Sequence, residues 1–403
     1  MLGLPANILN SYGLNSYLSW LANDSNNAQR LQIKSKDGLV VKAQFAADNT
    51  NYSPQEGDFV RESIRVLKRS LGLTLGLDRE LQRIERVDAT SAISNIQVVD
   101  STVVLGEENA DCLLGKVHHE DAAETENDES NIFSYGLYTA GGILIGKTSG
   151  ADDEAVKIAI DRLQPHFNNL LAAKWLELTN NEFSSKLSVG VSLASGVEEK
   201  AAVLNKATFS AAAKPAAKKI AFPSKNIAPN AVDNVPVLVK GSDIELSLNN
   251  TGDRQLYVAL FGIDADSNIF ALYTPAKSQP DEAQAQLTNM EIAPQSELAI
   301  PQAESSWKWK VSDSIGINTL YAIFSVRPLE QTLKALAAQQ NFKLDQQQVL
   351  NVTNPVTVIK SLMEDLHNAS AVSENSIANN DDIYALDVDS WATLNFIYEV
   401  SNA

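Results

Sequence analysis

The chain has one cysteine in 403 residues, Cys112, so an internal disulfide is excluded and a reducing compartment is the expected setting. No stretch approaches the roughly 18 consecutive apolar residues that cross a bilayer. The first seven residues, Met1 to Asn7, lack a basic segment and are broken by Pro5, which is not the pattern of a secretory signal. The reading is a cytoplasmic protein with no membrane partner. Basic residues are also scarce, 32 against 50 acidic, and the formal charge of -18 sets the average surface against a phosphate backbone, so nucleic acid is not an expected partner.

What is present is enough apolar sequence for two cores of ordinary size. Between Lys206 and Lys225 lie five lysines and no acidic residue, with Pro215, Pro223 and Pro229 close by. That shift in composition reads as a solvated tether over 201–234. The expected fold is α+β in two modules: a mixed α/β module over 1–200 with a long helix, and a mainly antiparallel, sandwich-like β module over 235–403 with a few helices.

In the first half, Leu14, Tyr17, Leu18 and Leu21 have helical spacing, which predicts a short helix over Tyr12–Ala22. Leu31-Gln32-Ile33 and Leu39-Val40-Val41 flank an Asp-Gly pair, a hairpin signal. Phe59, Ile64 and Leu67 predict a helix over Asp58–Arg69, followed by a strand over Leu71–Leu75. Leu77, Leu81, Ile84 and Val87 form the apolar stripe of a helix over Leu77–Ala92, with Asp78 as its N-cap and Glu80, Arg83, Glu85 and Arg86 on a solvated face. A long helix over Asp152–Asn180, kinked or broken at Pro165, carries Val156, Ile160, Leu163, Phe167, Leu170, Leu171 and Leu178. Leu187–Leu193 alternates as a strand.

Three stretches of the first half resemble chemical sites. Nine acidic residues between Glu107 and Glu129, with His118 and His119 among them, invite a metal reading, but Glu120–Ser130 has no apolar residue beyond alanine to hold ligands in place. A disordered acidic loop is the expectation. Cys112 beside those histidines resembles a nucleophile and base, yet Cys112-Leu113-Leu114 reads as a core strand. Gly141 to Thr148 has the spacing of a phosphate-binding loop, which would use Lys147 and Thr148 in a nucleotide hydrolase. Its interior, Ile143-Leu144-Ile145, is strand-like, however, and Thr139 to Gly142 reads as a turn after a strand over Phe133–Tyr138.

The second half is β-rich. Ile244, Leu246 and Leu248 alternate, and Leu256–Phe261 is an apolar run of the kind buried on both faces. Asp264-Ala265-Asp266-Ser267-Asn268 begins like a calcium loop, but Ile269 stands at the glycine position and Pro275 at the glutamate position, leaving a hairpin turn into Ile269–Tyr273. Trp307, Trp309 and Val311 alternate with two lysines as a half-buried strand. Exposure of those tryptophans would instead mark a peptide- or glycan-binding module. Thr319–Val326 reads as a buried strand, Leu329–Gln340 and Asn354–His367 as helices, and Ala392, Leu394, Phe396, Tyr398 and Val400 share one face of a terminal strand.

Five stretches together, Glu85–Ala92, Asp111–Val117, Tyr135–Tyr138, Leu362–Ser370 and Trp391–Tyr398, resemble the region after the protease domain of cyanobacterial caspase-like proteins, the orthocaspases. The second half resembles the uncharacterised β-rich domain often attached to them. The resemblance implies a cysteine endopeptidase with a His-Cys dyad, the histidine before a glycine and the cysteine in an Asp-x-Cys-x-Ser-Gly-like turn. Here none of His118, His119, His166 and His367 precedes glycine, and Cys112 directly follows Asp111. No catalytic, cofactor-binding or metal-binding residue carries over. The reading is a non-catalytic accessory or regulatory portion of a caspase-like protein whose partner is a protein, such as a caspase-like protease domain.

Overall fold

A computed structural model of the chain describes residues 13–20, 30–37, 40–45, 55, 58–104, 110–118, 133–195, 202–212, 235–275, 287–302, 307–339, 348–370, 372 and 382–402. Four sheets and five helices make up the described fold, which is α+β.

One five-stranded sheet runs β21-β4-β1-β2-β3, from β1 (Tyr17–Trp20), β2 (Arg30–Asp37), β3 (Val40–Phe45), β4 (Val60–Lys68) and β21 (Ile383–Asp387). A four-stranded sheet runs β6-β5-β7-β8, from β5 (Leu73–Leu77), β6 (Val99–Val104), β7 (Cys112–His118) and β8 (Phe133–Thr139). Helices α1 (Arg83–Ile93) and α2 (Val156–Glu177) belong to the same segment of chain.

The remaining sheets make a sandwich. One is β10-β9-β12-β17, built from β9 (Val189–Ser195), β10 (Ala202–Ala207), β12 (Asp243–Asn250) and β17 (Ser296–Ile300), with β18 (Trp309–Lys310) also on β12. The short α3 (Phe209–Ala212) follows β10. The other is β11-β22-β19-β13-β14-β15, from β11 (Val237–Val239), β13 (Leu256–Ile263), β14 (Ile269–Pro275), β15 (Leu287–Thr288), β19 (Gly316–Ser325) and β22 (Trp391–Ser401), joined by β16 (Met290–Ile292) on β13 and β20 (Gln348–Asn351) on β14. Helices α4 (Glu330–Ala337) and α5 (Pro355–Ser370) complete the set.

This last sheet is buried on both faces, which explains the apolar runs of β13 and β19. Leu256, Val258, Leu260, Leu320, Ala322 and Phe324 point into the sandwich core with Leu246 and Val191 of the facing sheet. Their neighbours Ala259, Phe261, Tyr321 and Ile323 point the other way, into a second core shared with Phe167, Trp175, Leu362 and Leu366 of α2 and α5. The five alternate residues of β22 from Ala392 to Val400 all enter the sandwich core, as their period of two requires.

Several local expectations are corrected. Tyr17–Trp20 is a strand rather than part of a helix, paired with both β2 and β4. The stretch expected as a helix over Asp58–Arg69 holds strand β4 at Val60–Lys68, because Glu62 to Leu67 are six consecutive buried residues and two-sided burial erases the alternation that marks a strand. In α1 the stripe is misplaced. Ile84 and Val87 are exposed, Ala89 and Ile93 are buried, and Gln82 rather than Asp78 is the N-cap, its backbone N–H donating to the Glu85 carboxylate. α2 continues through Pro165, held on either side by buried Ile160, Leu163, Phe167 and Leu171. The hairpin of β2 and β3 forms as read, while Gly38 lies outside the described residues.

The expected tether is the largest correction. Its first residues form β10, paired antiparallel along β9 from Ala202↔Ser195 to Ala207↔Gly190, and Lys206 reaches Glu182 and Asn395, each at 3.2 Å. Residues 213–234 lie outside the described residues. Strand pairing also crosses the expected boundary twice. β9, from the first half, lies beside β12 from Ile244↔Ser195 to Asn250↔Val189, and β21, the next-to-last strand of the second half, lies beside β4 from Ile383↔Lys68 to Asp387↔Ile64.

A fully buried ionic junction marks the crossing. Arg65 Nε and Nη2 donate to the two oxygens of Glu62 at 2.6 and 2.8 Å, Arg65 Nη1 donates to the Leu178 carbonyl, and the Ser184 hydroxyl donates to Glu62 at 2.5 Å. The guanidinium lies 5.5 Å from the centre of the Trp391 ring. Removing one partner of such a pair strands a buried charge. Glu62→Ala is expected to lower the unfolding free energy by about 3–5 kcal/mol, whereas Lys186→Ala, at the exposed pair with Asp389 (2.9 Å), should change it by less than about 1 kcal/mol. Urea unfolding of both variants checks this; equal, small losses would contradict it.

Candidate functional site

Cys112 lies on β7 within the core, 1 % exposed, beside residues such as Leu75 and Leu114. Burial above all, helped by the adjacent Asp111 and opposed by Lys174, pushes its thiol up to about 12. The histidines are elsewhere. His118 is six residues further along the same strand, about 20 Å away at roughly 3.3 Å per residue, and contacts Glu80 at 3.4 Å. On α2, burial and then Arg162 lower the pKa of His166, while Asp266 opposes them. The Ala385 N–H donates to His367 Nδ1 at 3.0 Å, committing that nitrogen to the backbone. His119 and most of the acidic loop lie outside the described residues. Among the described residues no three His, Cys, Asp or Glu side chains group as metal ligands.

The stretch Gly141–Thr148 folds back on β8 as a turn. Thr139 N–H donates to Ile143 O at 2.8 Å, Tyr138 bridges to Leu144, and Ile145 N–H donates to Leu137 O. The Thr148 hydroxyl is fully buried; it accepts from Leu137 N–H at 3.1 Å and donates to Ile145 O at 2.7 Å, so it is spent on the fold. Lys147, with φ 58°, points outward to Asp266 at 2.6 Å. A phosphate-binding loop needs that hydroxyl and lysine turned toward one ligand; here they serve two different contacts. The calcium-like stretch is likewise a turn, in which Asp264 Oδ1 accepts the backbone N–H groups of Asp266 (2.9 Å) and Asn268 (2.8 Å).

Sequence reading missed a polar cluster beside β8. Glu85, assigned above to a solvated face, accepts from the Tyr135 hydroxyl at 2.8 Å and pairs with Lys116 at 3.0 Å, and Lys116 sits 4.0 Å from the centre of the Phe133 ring. Burial raises the Glu85 pKa, but hydrogen bonds from Gln82, Tyr135 and Lys116 outweigh it and the net shift is downward. Arg162 joins Glu154 to the carbonyls of Tyr135 and Thr148. These residues come from α1, β7, β8 and α2, and no local spacing announces them.

A cleft of about 590 Å³ lies against the sandwich, lined by residues that include Lys147, Trp307, Trp309, Asn351 and Tyr398. The two indoles stack at 6.5 Å and 21°. Trp309 is buried, so the pair is not an exposed platform, and Trp307 is partly buried. Lys308 and Lys310 both turn to Asp243, at 3.2 and 2.7 Å, and these two hydrogen bonds, Lys310 first, hold its carboxyl below the usual range.

A family profile described as a domain of unknown function (DUF4384) matches residues 237–328. No curated protein and no solved structure matches the chain. The matched segment runs from β11 through β19 and supplies the Trp307–Ser314 side of the cleft, while Lys147, Asn351 and Tyr398 come from outside it. No described helix is long and apolar enough to cross a membrane.

The burial and raised pKa of Cys112 predict that iodoacetamide at pH 8 leaves it unmodified in the folded protein and alkylates it fully in urea, because so little thiolate is present and none is reachable. Intact-mass measurement reads the outcome. Rapid labelling of the native chain would contradict the assignment.

Proposed function

We propose that this chain is a non-catalytic accessory or regulatory portion of a caspase-like protein and works by binding a protein partner, a caspase-like protease domain supplied separately. The observation that carries the reading is the setting of Cys112: an acyl-transfer nucleophile needs a base within hydrogen-bond reach, and no described histidine stands there. The resemblance of five separate stretches to caspase-like proteins supplies the kinship. The domain of unknown function matched at 237–328 falls within the half that resembles the domain appended to those proteases, which supports the same reading.

The test has two arms. The chain alone, with and without calcium, should hydrolyse no fluorogenic peptide bearing Arg or Lys before the cleavage site, and affinity capture from the source cells should recover a caspase-like protein. Turnover abolished by Cys112→Ala would overturn the non-catalytic assignment, and recovery of the chain without any protease partner would overturn the accessory role.

A further inference from the structure

The cleft holds polar atoms for which the fold finds no use. Tyr398 is 1 % exposed and Trp309 is 4 % exposed, and both line it. Buried tyrosine and tryptophan normally satisfy their hydroxyl and N–H groups. Here neither the Tyr398 hydroxyl nor the Trp309 indole N–H has a hydrogen-bond partner among the described residues, and neither is sealed in the core in the manner of the Trp175 N–H. Asn318, directly across from Tyr398 on β19, adds a buried side-chain carbonyl that is also unpaired. Burial, with the nearby Asp264 carboxylate, pushes the Tyr398 hydroxyl up to about 12, so it is a neutral donor and acceptor.

Charge narrows the class of ligand. Each lysine of the cleft already faces a carboxylate, Lys147 that of Asp266 and Lys308 and Lys310 that of Asp243. Asp264 is occupied by the turn that it closes. An anion would find no unpaired cation to bind, whereas neutral oxygens would find the idle N–H and O–H. A peptide would be read mainly through its main chain by a strand edge, yet the idle groups here are side-chain donors on two rigid aromatic rings. Trp307 adds an apolar flank, stacked on Trp309 and still partly exposed. A volume of about 590 Å³ suits a ligand of a few rings.

We propose that this cleft binds a carbohydrate, with Tyr398 and Trp309 hydrogen-bonding its hydroxyl oxygens and Trp307 lying against the apolar face of a sugar ring. Recognition rests on polar atoms of buried residues that line the cleft rather than on a broad aromatic platform. The site is independent of the accessory role proposed above.

Titration of the whole chain with cellohexaose, maltohexaose, chitohexaose and laminarihexaose, followed by tryptophan fluorescence and calorimetry, tests it. At least one of the four should give a saturating change. Tyr398→Phe removes only a hydroxyl that the fold leaves unpaired, so it should melt as the parent does and bind that sugar roughly tenfold more weakly, the size of one good hydrogen bond. Trp307→Ala should weaken binding as well. No saturation by any of the four at millimolar concentration, or unchanged affinity in Tyr398→Phe, would overturn the proposal. Saturation by a mixed-sequence decapeptide with no response to the sugars would assign the cleft to a peptide and overturn it equally.

Discussion

The arrangement depends on one constraint: the Arg65 guanidinium is entirely buried, and its position is compatible with folding only while its partners surround it. Glu62 supplies the counter-charge from the same strand, the Leu178 carbonyl comes from the segment after α2, and the Trp391 ring comes from the start of β22. Moving the segments that carry Leu178 and Trp391 would leave the buried Glu62–Arg65 pair without the carbonyl acceptor and the ring that complete its surroundings, and a buried charged donor left unsatisfied costs about 1–3 kcal/mol or more. Trp391 is fixed in turn, its indole N–H donating to Thr179 O at 2.9 Å and its carbonyl accepting from Asn181 and Ser185 at 3.1 and 2.8 Å. The net stability gained from a buried ion pair is small. Its physical effect is to fix the register at which three distant parts of the chain meet.

The doubly buried sheet follows from that register. β22 begins at the junction and lies between β11 and β19, so anchoring Trp391 also sets which residues of β22 enter the sandwich core. The other face of the sheet receives α2 and α5, and the first half is thereby packed onto the second through side chains as well as through β9 and β21. The cleft draws on the same arrangement. Tyr398 lines it because β22 is held at one register, while Lys147 is brought there by the turn after β8.

Much of this was legible locally, and the failures share a cause. Strands with one solvated face, or with apolar runs flanked by turns, show themselves in the sequence, as β12, β13 and β19 do. So do the C-terminal helices and the core role of Cys112. β4 looks like a helix in sequence because Glu62 and Arg65 are charged residues buried as a pair, which leaves no period of two to detect. β10 looks like tether because its lysine and alanine content resembles a linker, although its backbone pairs fully with β9. Glu85 and Arg162 were missed for a related reason: their partners are distant in sequence, and only the fold brings them together. The site residues flagged by motif, Lys147 and Thr148, are close in sequence but serve separate contacts.

The central claim is that the two halves form one interleaved structure rather than two modules on a tether. Expressing 1–212 and 235–403 as separate chains in one cell, with an affinity tag on only one, tests it most directly. The account predicts that they purify together in equal amounts and elute from gel filtration as a single species of the parent size, held by β9 against β12 and β21 against β4. Two soluble, folded fragments that elute apart would contradict it.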